Sequence, residues 1–253
     1  MKKIIGIALL ACLLTAGVFA EETKDTKEVP YQMLRIGLEV DYAKVAMDQV
    51  NTELNKSNSV TAFSSGFSGM LNVDVVLIPF LMVGARAGVV YCQPGSAKDD
   101  YIIYKQTKTI EALLIPLEAG ITANLEIPST SITLMAGVYG GYGVAISSVK
   151  NDLTLLGQTA TFTQPYDGGN FIAEAIASVN IKILTALSIN VNGGYRMAKI
   201  AQMKQSADVN YTEIPGLTIP VGAKGDVLQD SDSKDLAYDY SGLSIGVGVS
   251  LGF

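Results

Sequence analysis

The run Leu34-Arg-Ile-Gly-Leu-Glu-Val-Asp-Tyr42 places Leu34, Ile36, Leu38, Val40 and Tyr42 at even positions and Arg35, Gly37, Glu39 and Asp41 at odd ones. Successive side chains of a strand point to opposite faces, so this segment has one apolar face and one that is small or charged. Such a strand separates two solvents. The alternation returns in segments 67–75, 83–92, 113–122, 131–144, 171–180, 187–196 and 242–253. Each comes near or exceeds the roughly 9–11 residues that a tilted strand needs to cross a bilayer.

The connectors differ in kind. Segments 76–80, 125–130 and 182–185 are short, whereas 43–66, 93–111, 147–170 and 199–241 are long and rich in Asp, Lys, Asn, Ser, Thr and Gln. Short turns on one rim and long loops on the other predict an all-β, eight-stranded antiparallel up-and-down transmembrane β-barrel, with the long loops outside the cell. A soluble carrier barrel is the alternative. It would put long charged side chains on its wet face, whereas the polar face here is mostly Gly, Ser, Asn and Thr, which suits a cramped lumen. Two features disturb the pattern. Pro116 lies inside the fourth segment, where its missing donor allows a bulge that would flip the facing beyond it. Asn192-Gly193 is a hairpin signal that would split the seventh segment and give ten strands.

The N-terminus fits the same route. Lys2 and Lys3 precede a short apolar run, and Val18-Phe19-Ala20 ends it with small residues where a signal peptidase reads. Leu9-Leu-Ala-Cys12 also resembles a lipoprotein cleavage box, but the mostly apolar residues after Cys12 favour cleavage after Ala20. The expected organisation is a signal peptide over 1–20, a polar periplasmic lead-in over 21–31 and a barrel over 32–253. Losing Lys2 and Lys3 takes the net charge from −6 to −8, against a nucleic-acid partner. It also leaves Cys92 as the one cysteine, so no internal disulfide forms.

Three stretches carry a family resemblance. Tyr240-Ser-Gly-Leu-Ser-Ile-Gly-Val-Gly-Val-Ser-Leu-Gly-Phe253 is similar to the last strand of the outer-membrane β-barrel (porin-like) superfamily in its small eight-stranded form. Leu113-Leu-Ile-Pro-Leu-Glu-Ala-Gly120 resembles a central strand of such barrels, and Ala136-Gly-Val-Tyr-Gly-Gly-Tyr-Gly143 a glycine-rich one. The resemblance implies a bacterial outer-membrane location, lipid as surroundings, and a terminal aromatic, Phe253, read by the barrel-assembly machinery. The chain departs from the pattern in having no tryptophan, so an aromatic girdle must come from Tyr42, Phe67, Tyr91, Tyr195 and Phe253.

The chain contains no histidine. Barrel enzymes of the lipase, acyltransferase, deacylase and protease families rely on one, so the expectation is a non-enzymatic protein without catalytic, cofactor-binding or metal residues. Arg35, Glu39, Asp41, Asp74, Arg86, Glu118, Glu174 and Arg196 share the inward phase. They can form an ion-selective constriction or a network of paired charges that fills a narrow lumen, because an unpaired buried charge is costly. Asp226, Asp230, Asp232, Asp235 and Asp239 lack the glycine turn of a calcium loop and read as a solvated acidic loop. Gly140-Gly141-Tyr142-Gly143 has no following helix to make a phosphate cradle, so its glycines are expected to leave room for Tyr139 and the arginines. The functional expectation is a monomer that makes surface contacts or supports membrane integrity through four long loops. The alternative is a small channel for ions or polar solutes.

Overall fold

A computed structural model describes residues 33–101, 103–155, 157–209 and 222–253. The signal peptide and lead-in expected over 1–31 lie outside the described residues. Eight strands alternate in direction: β1 (Leu34–Lys44), β2 (Ser65–Ile78), β3 (Leu81–Asp100), β4 (Tyr104–Glu126), β5 (Ile132–Leu155), β6 (Gln158–Lys182), β7 (Leu187–Met197) and β8 (Gly242–Gly252). Each pairs antiparallel with its sequence neighbours. β8 returns to β1, with Arg35 opposite Gly252 and Ala43 opposite Ser244. The ring is closed over the span the eight strands share, so no sheet edge is left free there.

The alternative of ten strands is not what forms. Asn192 and Gly193 sit in mid-strand, paired with Gly246 and Ile245 on one side and with Ser178 and Ala177 on the other. Nor does Pro116 bulge. It pairs with Gly143 in an unshifted β4–β5 ladder, and bridging to β3 lapses only between Ala87↔Leu117 and Val90↔Leu114. That gap accommodates the missing N–H without changing the strand's facing. Leu114 and Glu118 both remain buried inside. The shift occurs instead at Gln93-Pro94, between Cys92 and Gly95. Beyond it the buried positions of β3 change from even (Val90, Cys92) to odd (Gly95, Ala97).

Segments 93–111 and 147–170, expected as loops, are largely strand. β3–β4 and β5–β6 continue as paired hairpins well past the other strands. Alternation persists in them, but their outer face is wet and therefore polar, and composition alone reads that as loop. Segment 43–66 holds a short helix, α1 (Asp48–Leu54), and a strand, Ser59–Thr61, on β3. Within 199–241, Lys199–Ile200 pairs with Tyr238–Asp239, and Lys204–Gln205 adds to β6.

Large apolar side chains cover the outside of the wall: Val40 is 55 % exposed, Leu117 54 % and Val247 59 %, while Glu39, Asp41 and Glu118 along β1 and β4 and Ser250 on β8 are buried. Water would reject that exterior, and hydrocarbon accepts it because the backbone is satisfied around the ring. The molecule has the construction of a transmembrane β-barrel. Tyr42, Phe67 and Tyr91 lie opposite one another on three adjacent strands, the first two rings 5.7 Å apart and edge to face. Tyr142 and Phe171 pair on β5 and β6. These aromatics mark the border nearest the long hairpins.

Candidate functional site in the lumen

Odd positions of β1 and β5 and even positions of β2, β3, β4, β6 and β7 aim polar groups inward, and there they converge on Arg86. Its Nη2 is 3.0 Å from Glu39 and its Nη1 3.0 Å from Glu174 and 4.0 Å from Glu118. Its Nε donates to Asn72 Oδ1 at 2.8 Å, and the guanidinium lies 4.9 Å from the centre of the Tyr139 ring. Arg196 shares Glu174 at 3.0 Å, and Asn190 Nδ2 donates to the second oxygen of Glu39 at 2.9 Å. Two arginines thus face three glutamates, with their side chains almost wholly out of solvent. Burial makes each pairing obligatory, since a lone charge here would lack both water and partner.

The remaining inward charges flank that centre, and Asp74 and Arg35 share a small lumen cavity with Glu39, Arg86 and Tyr139. Asp41 accepts a hydrogen bond from Ser68 at 2.7 Å. Asp74 lies across the ladder from Arg35 and is buried. Arg35 is half-buried and points its Nη1 at Met135 Sδ, 2.8 Å away. The carboxylates gain their space from glycines: a Cβ on Gly84 would lie 2.0 Å from Asp74 Oδ1, and one on Gly246 1.9 Å from Asp41 Oδ1. The run at Gly140–Gly143 does not serve Tyr139 and the arginines. Gly143 clears Leu114 and Ile172, and the Tyr139 ring rests on Gly120. Asn72, Thr122, Tyr139 and Asn190 complete the network, with Thr122 and Tyr139 hydroxyls 2.7 Å apart. Inward phase was their only signal in the sequence, and as neutral residues they did not stand out from the rest of the polar face.

Toward the long hairpins the lumen turns apolar. Val90, Cys92, Leu114, Ala145 and Ile172 from the wall join Met47, Val50, Leu54, Phe63, Ile200, Met203, Tyr238 and Tyr240 from the connectors in one buried cluster. Hydrogen bonds fasten this cap. Tyr240 Oη donates to Leu113 O at 3.3 Å, and Ser147 Oγ donates to Glu111 O at 2.8 Å and meets the Tyr238 hydroxyl at 3.0 Å. Burial pushes the Tyr238 phenol far up against the opposing Ser147 bond, so it stays neutral. Asn51 and Phe63 exchange a reciprocal pair, Nδ2 to O at 2.8 Å and N to Oδ1 at 2.7 Å, which closes the α1 loop.

The aspartates of the last connector are occupied locally. Asp230 Oδ1 accepts the N–H groups of Asp232 and Lys234, both at 2.9 Å, and Asp226 accepts that of Ala223 at 2.7 Å. They shape turns. Phe253 follows β8 and exchanges backbone bonds with Leu34 at 2.8 and 3.2 Å.

No family model matches the sequence, and no curated protein does. Among solved structures the chain is similar to Neisserial surface protein A, at 11 % identity and a TM-score of 0.41, over 87 % of this chain and 97 % of that one. It is similar to the outer membrane protein OprG from Pseudomonas aeruginosa at 12 % identity, with a TM-score of 0.37 over 87 % and 94 %. A third is Ail, the attachment invasion locus protein of Yersinia pestis, solved with the heparin analogue sucrose octasulfate. There the identity is 8 % and the TM-score 0.35, over 87 % and 99 %.

Proposed function

We propose that this outer-membrane β-barrel is a non-enzymatic, non-conducting surface protein that holds its capped hairpins outside the cell for contact. The observation behind this is the lumen, filled twice over. The Arg86 cluster occupies its charged part, and the apolar cap fills the part above. A charged constriction needs water on both sides to select ions, and here one side is a packed core. β5 and β6 have 24 and 25 residues, more than twice the roughly 9–11 that cross a bilayer. The excess continues beside that of β3 and β4 as a four-stranded platform joined to the cap, suited to recognition. In the same reading residues 1–20 are removed on export, the barrel is a monomer, and Phe253 is read by the assembly machinery.

Planar-bilayer recording of the folded, signal-free protein is the test. A silent bilayer, with cell binding lost when the tip of the β5–β6 hairpin is trimmed, is the expected result. Discrete current steps that change with Arg86→Gln would overturn it in favour of a small ion channel.

A further inference from the structure

The wall is uneven, and the step in it makes a groove. β7 pairs with β6 only up to Met197 opposite Ala173. The chain then turns inward through Ala198 and Ile200, and pairing with β6 resumes only at Lys204 opposite Asp167. Between these points the outer side of β6 is bridged by one side-chain bond, Asn170 Nδ2 to Lys199 O at 2.8 Å. The resulting groove has a volume of about 750 Å³ and faces outward beside β6, β7, β8 and the end of β1.

Its chemistry is layered along the strands. Phe171, Met197 and Leu243 line it and are each more than 60 % exposed, continuous with the lipid-facing belt. Lys44 is the next outward position after Tyr42, and Lys199 the next after Met197, so both ammonium groups sit one step beyond the belt. Among the described residues neither has an ion-pair partner. Asp48 and Asp239 line the polar end of the groove as well, Asp239 opposite Lys199 in its ladder. The groove is therefore apolar at one end, with cations and acceptors together at the other. A membrane lipid matches it with acyl chains at one end and, at the other, a phosphate and headgroup hydroxyls.

We propose that this groove holds a phosphate-bearing membrane lipid, its phosphate on Lys44 and Lys199, its chains along Phe171, Met197 and Leu243, and its headgroup hydroxyls toward Asp48 and Asp239. The inference rests on the membrane location argued above. A lipid held there closes the step in the wall and covers apolar side chains that no strand covers.

The test uses the full signal-free chain in nanodiscs of phosphatidylcholine doped with phosphatidylglycerol, with retained lipid read by native mass spectrometry after release. The wild-type barrel is expected to retain phosphatidylglycerol over phosphatidylcholine. Lys44→Gln with Lys199→Gln reduces that preference by about thirtyfold, from about 1 kcal/mol for each lysine near a lipid phosphate. Lys199→Gln alone, at about fivefold by the same measure, keeps the test available if the pair folds poorly. Leu243→Ser lowers retention of both lipids, and Lys182→Gln on the opposite rim changes neither. Unchanged preference in the lysine variants, or equal loss with Lys182→Gln, overturns the site. A chain that fails to enter nanodiscs defeats the membrane reading as well, whereas one that enters without retaining phosphatidylglycerol defeats only the groove.

Discussion

Below the aromatic border the barrel is apolar outside and charged inside; above it, the same strands are polar outside and apolar inside. On β4, Leu117 and Ile121 face out while Glu118 and Thr122 are buried, yet farther along it is Ile110, Ala112 and Leu114 that are buried while Lys105 and Glu111 are exposed. One continuous wall thus obeys two rules, because it stands in two solvents. In hydrocarbon the lumen is the only place left for charge, and in water it becomes an ordinary core. The inversion falls where Tyr42, Phe67 and Tyr91 line up, and β3 marks it with the bulge at Gln93-Pro94.

The comparison breaks most readily at Arg86. Arg86→Met leaves Glu39, Glu118 and Glu174 buried around an apolar side chain, and the expected loss is about 3–5 kcal/mol of unfolding free energy. Urea titration of the protein in lipid vesicles measures it. Adding Glu39→Gln and Glu118→Gln to that variant should recover a large part, since Glu174 keeps Arg196 and the penalty belongs to the uncompensated charges. If the triple variant is no better than the single, the lower core is held by shape rather than by charge balance.

The upper core should answer to volume. Leu114→Ala removes a fully buried side chain from the cap's floor and should cost about 2–5 kcal/mol. In the same titration its effect should not depend on whether Arg86 is intact, because the two cores share no ion pair. Coupling between Leu114→Ala and Arg86→Met greater than about 0.5 kcal/mol would merge the two regions into one. A smaller loss belongs to Gly141→Ala, where the new methyl would meet the Leu117 carbonyl oxygen at 1.9 Å. Overpacking of about 1–3 kcal/mol is expected there, read as a lower urea midpoint.

The lower region was the legible one. Period-two alternation in β1 to β8 gave each strand its phase, and phase alone turned Glu39, Asp74, Arg86, Glu118, Glu174 and Arg196 inward. Their partners were beyond reach, because Arg86 meets Glu174 across the lumen from a strand three places away. The upper region hid itself in composition. Val149, Ala160 and Tyr166 are buried within a stretch whose Lys, Asn, Thr and Gln residues read as loop. The bulge at Gln93-Pro94 also broke the parity by which β3 could be followed upward. Pro116 left a bulge open that the fold does not use, since a gap of two residues in one ladder accommodates the missing donor.

Acid offers the gentlest separation of the two regions. Burial pushes the Glu53 carboxyl up, but the Lys56 ammonium at 2.8 Å and Ser231 outweigh it, so the group is held below its ordinary 4.5. A depressed carboxyl contributes stability that is present above its unfolded value and lost as pH falls through its folded one. The pair is partly exposed, and the contribution is under about 1 kcal/mol after screening by solvent. Hydrogen exchange of the α1 amides should therefore quicken as pH drops well below 4.5, after correction for the intrinsic rate, while the unboiled protein should still migrate as a folded barrel on a denaturing gel. In Glu53→Gln the dependence should flatten. If α1 loosens equally in that variant, the cap responds to acid through another group, and the boundary between the two cores must be sought elsewhere than at the end of α1.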